Sequence, residues 1–403
     1  MRPADLRPVF RPLLVTLLIQ ALVSGAAFSV PVLAPALAAA FEVPASWSGY
    51  YVAVVYLGAT LASAAAFPLL RRSGALGVTA MASLLTGLGL AALAPGLLVP
   101  AMAGALVAGL GYGLTNPAAS EILARGTEPR IRAVVFSLKQ TGVPLGGMLA
   151  GATVPRLLEA AGWQATLLIV AGICLLAAAL LFAPGIRIAN VRPQHEGNTG
   201  AVGALRLVLG SPGLRLLAFA SFGLAAMQLC VTAALVAHLV ETVGFSLLDA
   251  GLLFALAQGA GVLGRILWGV VADLIGSAQR TFTLLCVAIT LCAWALALLD
   301  PGWPGWLVAL VCIATGGTAL AWNGVYIAEI VRLAPPHGAG AATGGALIFT
   351  YAGVVVGPPL FSVAADLAGT YAAAYGLVSL LTLGSVALTL RVNENGPARH
   401  RRS

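Results

Sequence analysis

Apolar runs of about 20 residues or more recur along almost the whole chain, and a run of that length matches what one helix needs to cross the hydrocarbon core of a bilayer. The runs do not alternate with period two, so they read as helices rather than barrel strands. With 60% hydrophobic and 8% charged residues in 403, the chain holds too much apolar surface for a water-soluble globule. A bilayer solvates such helices directly and asks only that their backbone groups be bonded internally. The fold class expected is an all-α integral membrane protein.

Breaking the runs at charges, prolines and glycine clusters gives spans near 12–40, 47–70, 75–95, 98–124, 131–158 and 163–184. The polar stretch GIRIANVRPQHEGNTGAVGALR follows and reads as a solvated linker. Six more spans lie near 213–241, 246–272, 281–299, 304–332, 339–366 and 371–391. Twelve transmembrane helices in two six-helix pseudo-repeats are therefore expected. The domains are an N-terminal bundle 1–184, a cytoplasmic linker 185–212 and a C-terminal bundle 213–403 with a short basic tail. Arg2, Arg7 and Arg11 before the first run give it the look of a secretory signal. The run is longer than a signal core, however, and the segment from Phe41 onward has a counterpart in the second half.

Alternate loops are basic, at Arg71 and Arg72, at Arg125, Arg130 and Arg132, along the linker, at Arg280, at Arg332 and from Arg391 to Arg402. The intervening loops hold Glu42, Glu159, Glu241, Asp249, Asp300 and Asp366, with Arg156 as the basic exception. By this asymmetry both termini and the linker are expected in the cytoplasm, in a multi-pass protein of the cell (inner or plasma) membrane. The net charge of +8 then reflects topology and anionic lipid headgroups, and no nucleic-acid partner is needed. Cys174, Cys230, Cys286, Cys292 and Cys312 all fall inside spans as small apolar residues, without disulfide or metal spacing.

The halves overlay with an offset of a little over two hundred residues. NPAASEILARGTEPR from Asn116 aligns with NGVYIAEIVRLAPPH from Asn323, pairing Arg125 with Arg332 and Pro129 with Pro336. GVPLGGML from Gly142 meets GVVVGPPL from Gly353. Parallel duplication around a cytoplasmic linker is the arrangement of one transporter class. Together with GRILWGVVADLIGSAQR, from Gly264 to Arg280, it resembles the major facilitator superfamily, whose loop signature runs roughly G-x-x-x-D-x-x-G-x-x-R. Gly269, Asp273, Gly276 and Arg280 fit that signature, and a gating lock on the cytoplasmic side is what the resemblance implies for Asp273; an ordinary turn is the plainer reading. The first-half copy, FPLLRRSGALG, has Arg71 where the family usually has an aspartate.

Lys139 is the single lysine of the chain and stands inside the fifth span. It is about eight residues from the span's start, roughly 12 Å at 1.5 Å per residue. A lysine near a helix centre carries an insertion penalty of about 2.5–3.5 kcal/mol, so it faces a bundle interior or a wet pathway, or else it snorkels to the interface or pairs with an acid. Lys139, Gly142, Gly146 and Ala150 make one stripe of small residues below the charge, which serves close helix contact or leaves room for a ligand. Pro144 frees a carbonyl and predicts a local bend.

Arg265 lies at a similar depth in the eighth span, on a face with Gln258 and Gly261. The text GRILWGVVAD is similar to the eighth span of the oxalate/formate antiporter and monocarboxylate transporter branch, where an arginine here contacts a substrate carboxylate; a structural tie to the loop signature is the other reading. That branch has a lysine in its eleventh span, where this chain has Thr350 and Tyr351. The resemblance makes the fifth and eighth spans neighbours, so that Lys139 and Arg265 face one cavity and invite an anion. Gln20 with Ser24, Tyr112 with Asn116 and Ser120, Gln140, Gln228 with Thr232, and Asn323 with Tyr326 complete the candidate substrate contacts, each equally readable as an interhelical bond. Trp322 and Tyr326 pack, gate or wall the cavity. Glu329, His238 and Glu241 are the proton-coupling candidates, with a helix-end salt bridge the competing reading for Glu121 and Glu329.

The expected function is secondary transport of a small organic anion of the monocarboxylate kind by alternating access, coupled to protons or to exchange. A proton-coupled exporter of drugs or other hydrophobic compounds is the alternative, since GVPLGG resembles the fifth-span motif of such antiporters, with Val143 intervening before the proline. A ligand-binding receptor on the same fold is a third class. No nucleophile–base pairing, phosphate loop or metal spacing supports an enzyme, and no cofactor is expected. The expected partners are a small anionic molecule and the bilayer, with the chain as a monomer.

Overall fold

The computed structural model describes residues 3–127, 132–183, 201–335 and 338–392. Expectations attached to Arg2, Pro129, Arg130, Pro336, linker residues 185–200 and the tail beyond 392 lie outside the described residues.

All regular elements among the described residues are helical. The first half runs α1 Pro3–Val32, α2 Ala34–Phe41, α3 Trp47–Ala64 and α4 Ala66–Ala91, then α5 Leu98–Gly126, α6 Arg132–Gln140 and α7 Gly142–Phe182. The second half begins with α8 Ala201–Gly210, α9 Pro212–His238, α10 Leu247–Ile275 and α11 Ala278–Ala297. It continues with α12 Gly305–Ala319, α13 Asn323–Leu333, α14 Ala339–Ala368 and α15 Tyr371–Leu390. Ten helical stretches among the described residues are long and apolar enough to cross a bilayer. One of them, the 48 residues Val135–Phe182, is divided at Gly162 and serves as two spans. With the 18-residue α3 added, ten plus one plus one gives the expected twelve.

Many large apolar side chains point outward, among them Leu176 at 60%, Leu263 at 62% and Leu274 at 80% exposure. Water would penalise such a surface, whereas lipid solvates it.

The breaks between spans follow from backbone chemistry. Gly74 (φ 70°) and Gly162 (φ 77°) interrupt α4 and α7 in the left-handed region, where glycine avoids the Cβ clash. Gly276 (φ 68°) and Gly369 (φ 66°) do the same at the matching corners of the second half, and Glu42 (φ 55°) matches Gly244 (φ 85°). The duplication read from scattered side-chain identities thus recurs in the backbone. Gly276 also explains part of the loop signature, because it ends α10 while the Ser277 hydroxyl accepts the Arg280 amide at 3.2 Å and caps α11. Gly269, Asp273 and Arg280 are exposed around this turn.

Two compact units emerge. The first contains α1 to α7 together with Ala233–Glu241 and Phe245–Ala255; α8, α11 to α15 and the remainders of α9 and α10 form the second. One expectation needs correction. The stretch read as a solvated linker, 185–212, contains α8, whose Ala204 and Val208 are buried one turn apart. The α8 backbone packs on α14 so closely that a methyl on Gly345 would collide with the Ala204 carbonyl. A short apolar face one turn long was enough to dock this segment, and the polar residues before it masked that face in the sequence.

Candidate functional site

The first unit is built around a close contact between α1 and α7. A methyl on Gly146 would collide with the Ala21 carbonyl and stand 2.6 Å from the Gly25 amide nitrogen, and one on Gly142 would stand 2.9 Å from Cβ of Gln20. The small-residue stripe therefore serves backbone approach and does not leave a void. It brings Gln20 beside the end of α6, where Lys139 sits just before the break at Thr141. Pro144 explains that break, since it has no N–H to return to the Gln140 carbonyl.

Lys139 is 2% exposed. Its Nζ donates to Gln20 Oε1 at 2.7 Å and to Asn116 Oδ1 at 2.5 Å. Gln20 Nε2 donates onward to Ser24 Oγ at 3.1 Å, and both of these residues are fully buried. Among the described residues no carboxylate approaches the ammonium, so two neutral amide dipoles carry its solvation. An ammonium only donates, so both amides must turn their oxygens towards it. One lone pair of each oxygen is thereby engaged, and Asn116 Nδ2 and the third N–H of Lys139 remain as donors. Tyr112 lies one turn from Asn116 on α5, its ring 5.4 Å from that of Tyr56. Gln140 and Ser120 are exposed.

The second unit repeats the residue types with different partners. Gln228 Oε1 accepts Trp322 Nε1 at 2.9 Å and, over a long 3.4 Å, Asn323 Nδ2. Both amides are half-buried, while Trp322 is fully buried within a cluster with Phe282 and Tyr326. Three residues before Gly353, where the repeat matches Lys139, stands Thr350, which shares a 2.9 Å bond with Ser221. The buried Tyr326 hydroxyl lies beside that pair without completing a well-formed bond.

Gln228 is not in strict register with Gln20. It follows Ala226, the α9 residue under Gly357, by two, whereas Gln20 precedes Ala21, the α1 residue under Gly146, by one. The shift is three residues, close to one helical turn.

Arg265, half-buried in α10, donates Nε to the Leu320 carbonyl at 3.2 Å. Leu320 directly follows α12, and its carbonyl has no helical partner at the break before α13. Next to it Trp268 Nε1 donates to the Gly317 carbonyl at 2.8 Å, and Gly264 lets the two backbones meet. The structure thus gives Arg265 a tie to the broken tenth span, not to the loop signature that the sequence reading set beside its substrate role. Gln258 is buried on the same helix. Lys139 and Arg265 belong to different units, each described by itself.

Of the coupling candidates, Glu329 is fully buried and held by Arg332 through two bonds of 2.7 and 2.5 Å. This is the helix-end pair that competed with a coupling role. His238 is buried at the end of α9, directly before a π-helical turn that carries the exposed Glu241.

A family model described as Major Facilitator Superfamily matches residues 16–358, covering most of both repeats. Two uncharacterised MFS-type transporters, from two strains of Mycobacterium tuberculosis, are 29% identical over 285 residues, 70% of this chain. The match spans 62% of those relatives' own length. Among solved structures, a nucleoside transporter, NupG, superposes with a TM-score of 0.77 at 15% identity, covering 94% of this chain and 98% of its own. A bacterial homologue of the human lysosomal transporter Spinster, inward-facing and unoccupied, gives 0.75 at 15% identity, with 96% and 95% covered. A D-xylose–proton symporter gives 0.70 at 16% identity, with 95% and 98% covered. Identities this low speak to fold alone, but the family match does not depend on them. The chain, with its duplicated six-span halves, belongs to the Major Facilitator Superfamily, a family of multi-pass membrane transporters and not of enzymes.

Proposed function

We propose that this protein is a secondary transporter that moves a small organic anion across the cell membrane by alternating access, with both termini in the cytoplasm. The observation that carries the reading is the ammonium of Lys139, buried among apolar helices with only neutral amide oxygens for partners among the described residues. A charge without a permanent counter-charge favours a ligand that brings one, and the donors left at the cluster suit carboxylate oxygens through charge-assisted bonds. Arg265 is the second cation of this reading, in the role that the branch resembling GRILWGVVAD gives it, which makes a monocarboxylate the preferred cargo. Transport itself draws support from the family match and from solved relatives that are named as transporters.

The exporter alternative needs a buried acid for a lipophilic cation. Among the described residues the buried carboxylate is Glu329, and Arg332 already claims it. Coupling is to a proton or to exchange, and the two separate by whether an anion preloaded inside vesicles accelerates uptake.

The test is uptake of a panel of labelled carboxylates by the reconstituted protein. Lys139→Gln and Arg265→Gln should each abolish uptake while purification and helix content stay as in the native chain. Normal uptake by both variants would refute the site.

A further inference from the structure

We infer that the second half carries a subsite for an uncharged ligand group that offers a hydrogen-bond acceptor beside a donor, as at the edge of a carboxamide, lactam or nucleobase. The inference rests on the chain being a transporter and is independent of the charge of its cargo.

The argument starts at Trp322. An indole N–H only donates, and here it is buried 2.9 Å from Gln228 Oε1, so the Gln228 amide is fixed with its oxygen inward. Its Nε2 is then turned away as a donor. Asn323 gives its own Nδ2 to the same oxygen, which leaves Asn323 Oδ1 as an acceptor. Neither leftover atom has a protein partner among the described residues, and neither residue is fully buried. An interhelical clamp alone would close the two amides on each other through a second bond from Nε2 to Oδ1, which is not formed here. A pair held on one side and open on the other presents one donor and one acceptor in fixed orientation. A group with a carbonyl next to an N–H satisfies both, whereas an ester, with acceptors only, leaves Asn323 Oδ1 facing another lone pair. Preorganisation by the buried indole keeps the edge from adapting to the ester.

Three probes on one ring test this with the purified full chain, read as thermal stabilisation on titration: nicotinamide, methyl nicotinate and nicotinate. Nicotinamide should reach half-maximal stabilisation at about tenfold lower concentration than the methyl ester, the scale of one hydrogen bond won or left unmade. Asn323→Leu removes the acceptor that tells the amide from the ester while the Trp322–Gln228 bond stays, so it should erase the preference. Trp322→Phe keeps the aromatic cluster but releases the Gln228 amide to turn, so it should weaken the preference. Equal responses to amide and ester in the native chain, including no response to either, would overturn the subsite, as would a preference that survives Asn323→Leu. Nicotinate reports the first half separately. If its effect is unchanged in Lys139→Gln while the amide preference holds, the anionic reading falls and this one stands; the converse pattern removes this one and leaves the other.

Discussion

Each half of the molecule sets a glutamine from its first span beside an asparagine from its fourth, yet the two pairs face opposite constraints. In the first half Lys139 pulls both oxygens to itself, so Asn116 has its NH2 to spare. In the second half Thr350 occupies the matching position and turns to Ser221; the indole of Trp322 orients Gln228, and Asn323 is left with its oxygen to spare. The two repeats thus hold a charged cluster with N–H donors to spare and a neutral cluster that offers one donor and one acceptor. A lysine in a fifth span reprogrammes two amides that it does not neighbour in sequence, because an ammonium dictates amide orientation wherever the fold brings one within reach.

The comparison depends first on the glycine stripes, which hold the first and fifth helices of each repeat at backbone contact. Gly146→Val and Gly353→Val should be the most damaging changes, each about 3 kcal/mol or more by overpacking against carbonyls that cannot withdraw. Thermal unfolding in detergent measures both. If one stripe tolerates valine, the halves do not share this scaffold and the comparison of their polar clusters loses its basis.

Next come the amides themselves. Gln20→Leu strips a buried ammonium of one of two partners, a loss of about 2 kcal/mol, since bonds to charged groups are the stronger class. Gln228→Leu orphans a neutral indole N–H and should lose about 1 kcal/mol. Equal losses would mean that Lys139 is not charged in the resting protein. Removing the charge along with its needs should be milder: Lys139→Thr, which copies the second half, should change stability by less than about 1 kcal/mol while uptake disappears, because a buried charge contributes little net stability.

How much of this was legible in advance divides along a physical line. Span number and the gaps into which Gly74, Gly162, Gly276 and Gly369 fall followed from apolar runs and breakers, since lipid leaves a helix no choice but to bury its own backbone. The stripe below Lys139 was visible but its use was not, because small residues serve helix contact and ligand space equally until the facing helix is known. Partner choice was hidden for the same reason. Nothing in the text of α1 or α5 says that Gln20 and Asn116 share one lysine; that depends on the rotation of three helices about their axes. Arg265 shows the limit most plainly, as its tie to Leu320 exists only because α12 breaks three residues before Asn323, where the homologous first-half helix runs on through Pro117.

That break supplies the finest distinction. Arg265→Lys keeps the positive charge and loses the Nε donor, so the Leu320 carbonyl loses a partner and stability should fall by about 0.5–1 kcal/mol, the net value of one partly buried hydrogen bond. The informative measurement is uptake in the same variant. A point charge that merely attracts an anion survives the exchange, and uptake should then fall only slightly. A guanidinium that grips a carboxylate through two parallel bonds does not survive it, and uptake should fall about tenfold or more for the loss of one charge-assisted bond. If stability falls while uptake is untouched, Arg265 is a brace for the broken span, and the anion chemistry of this protein belongs to the first half alone.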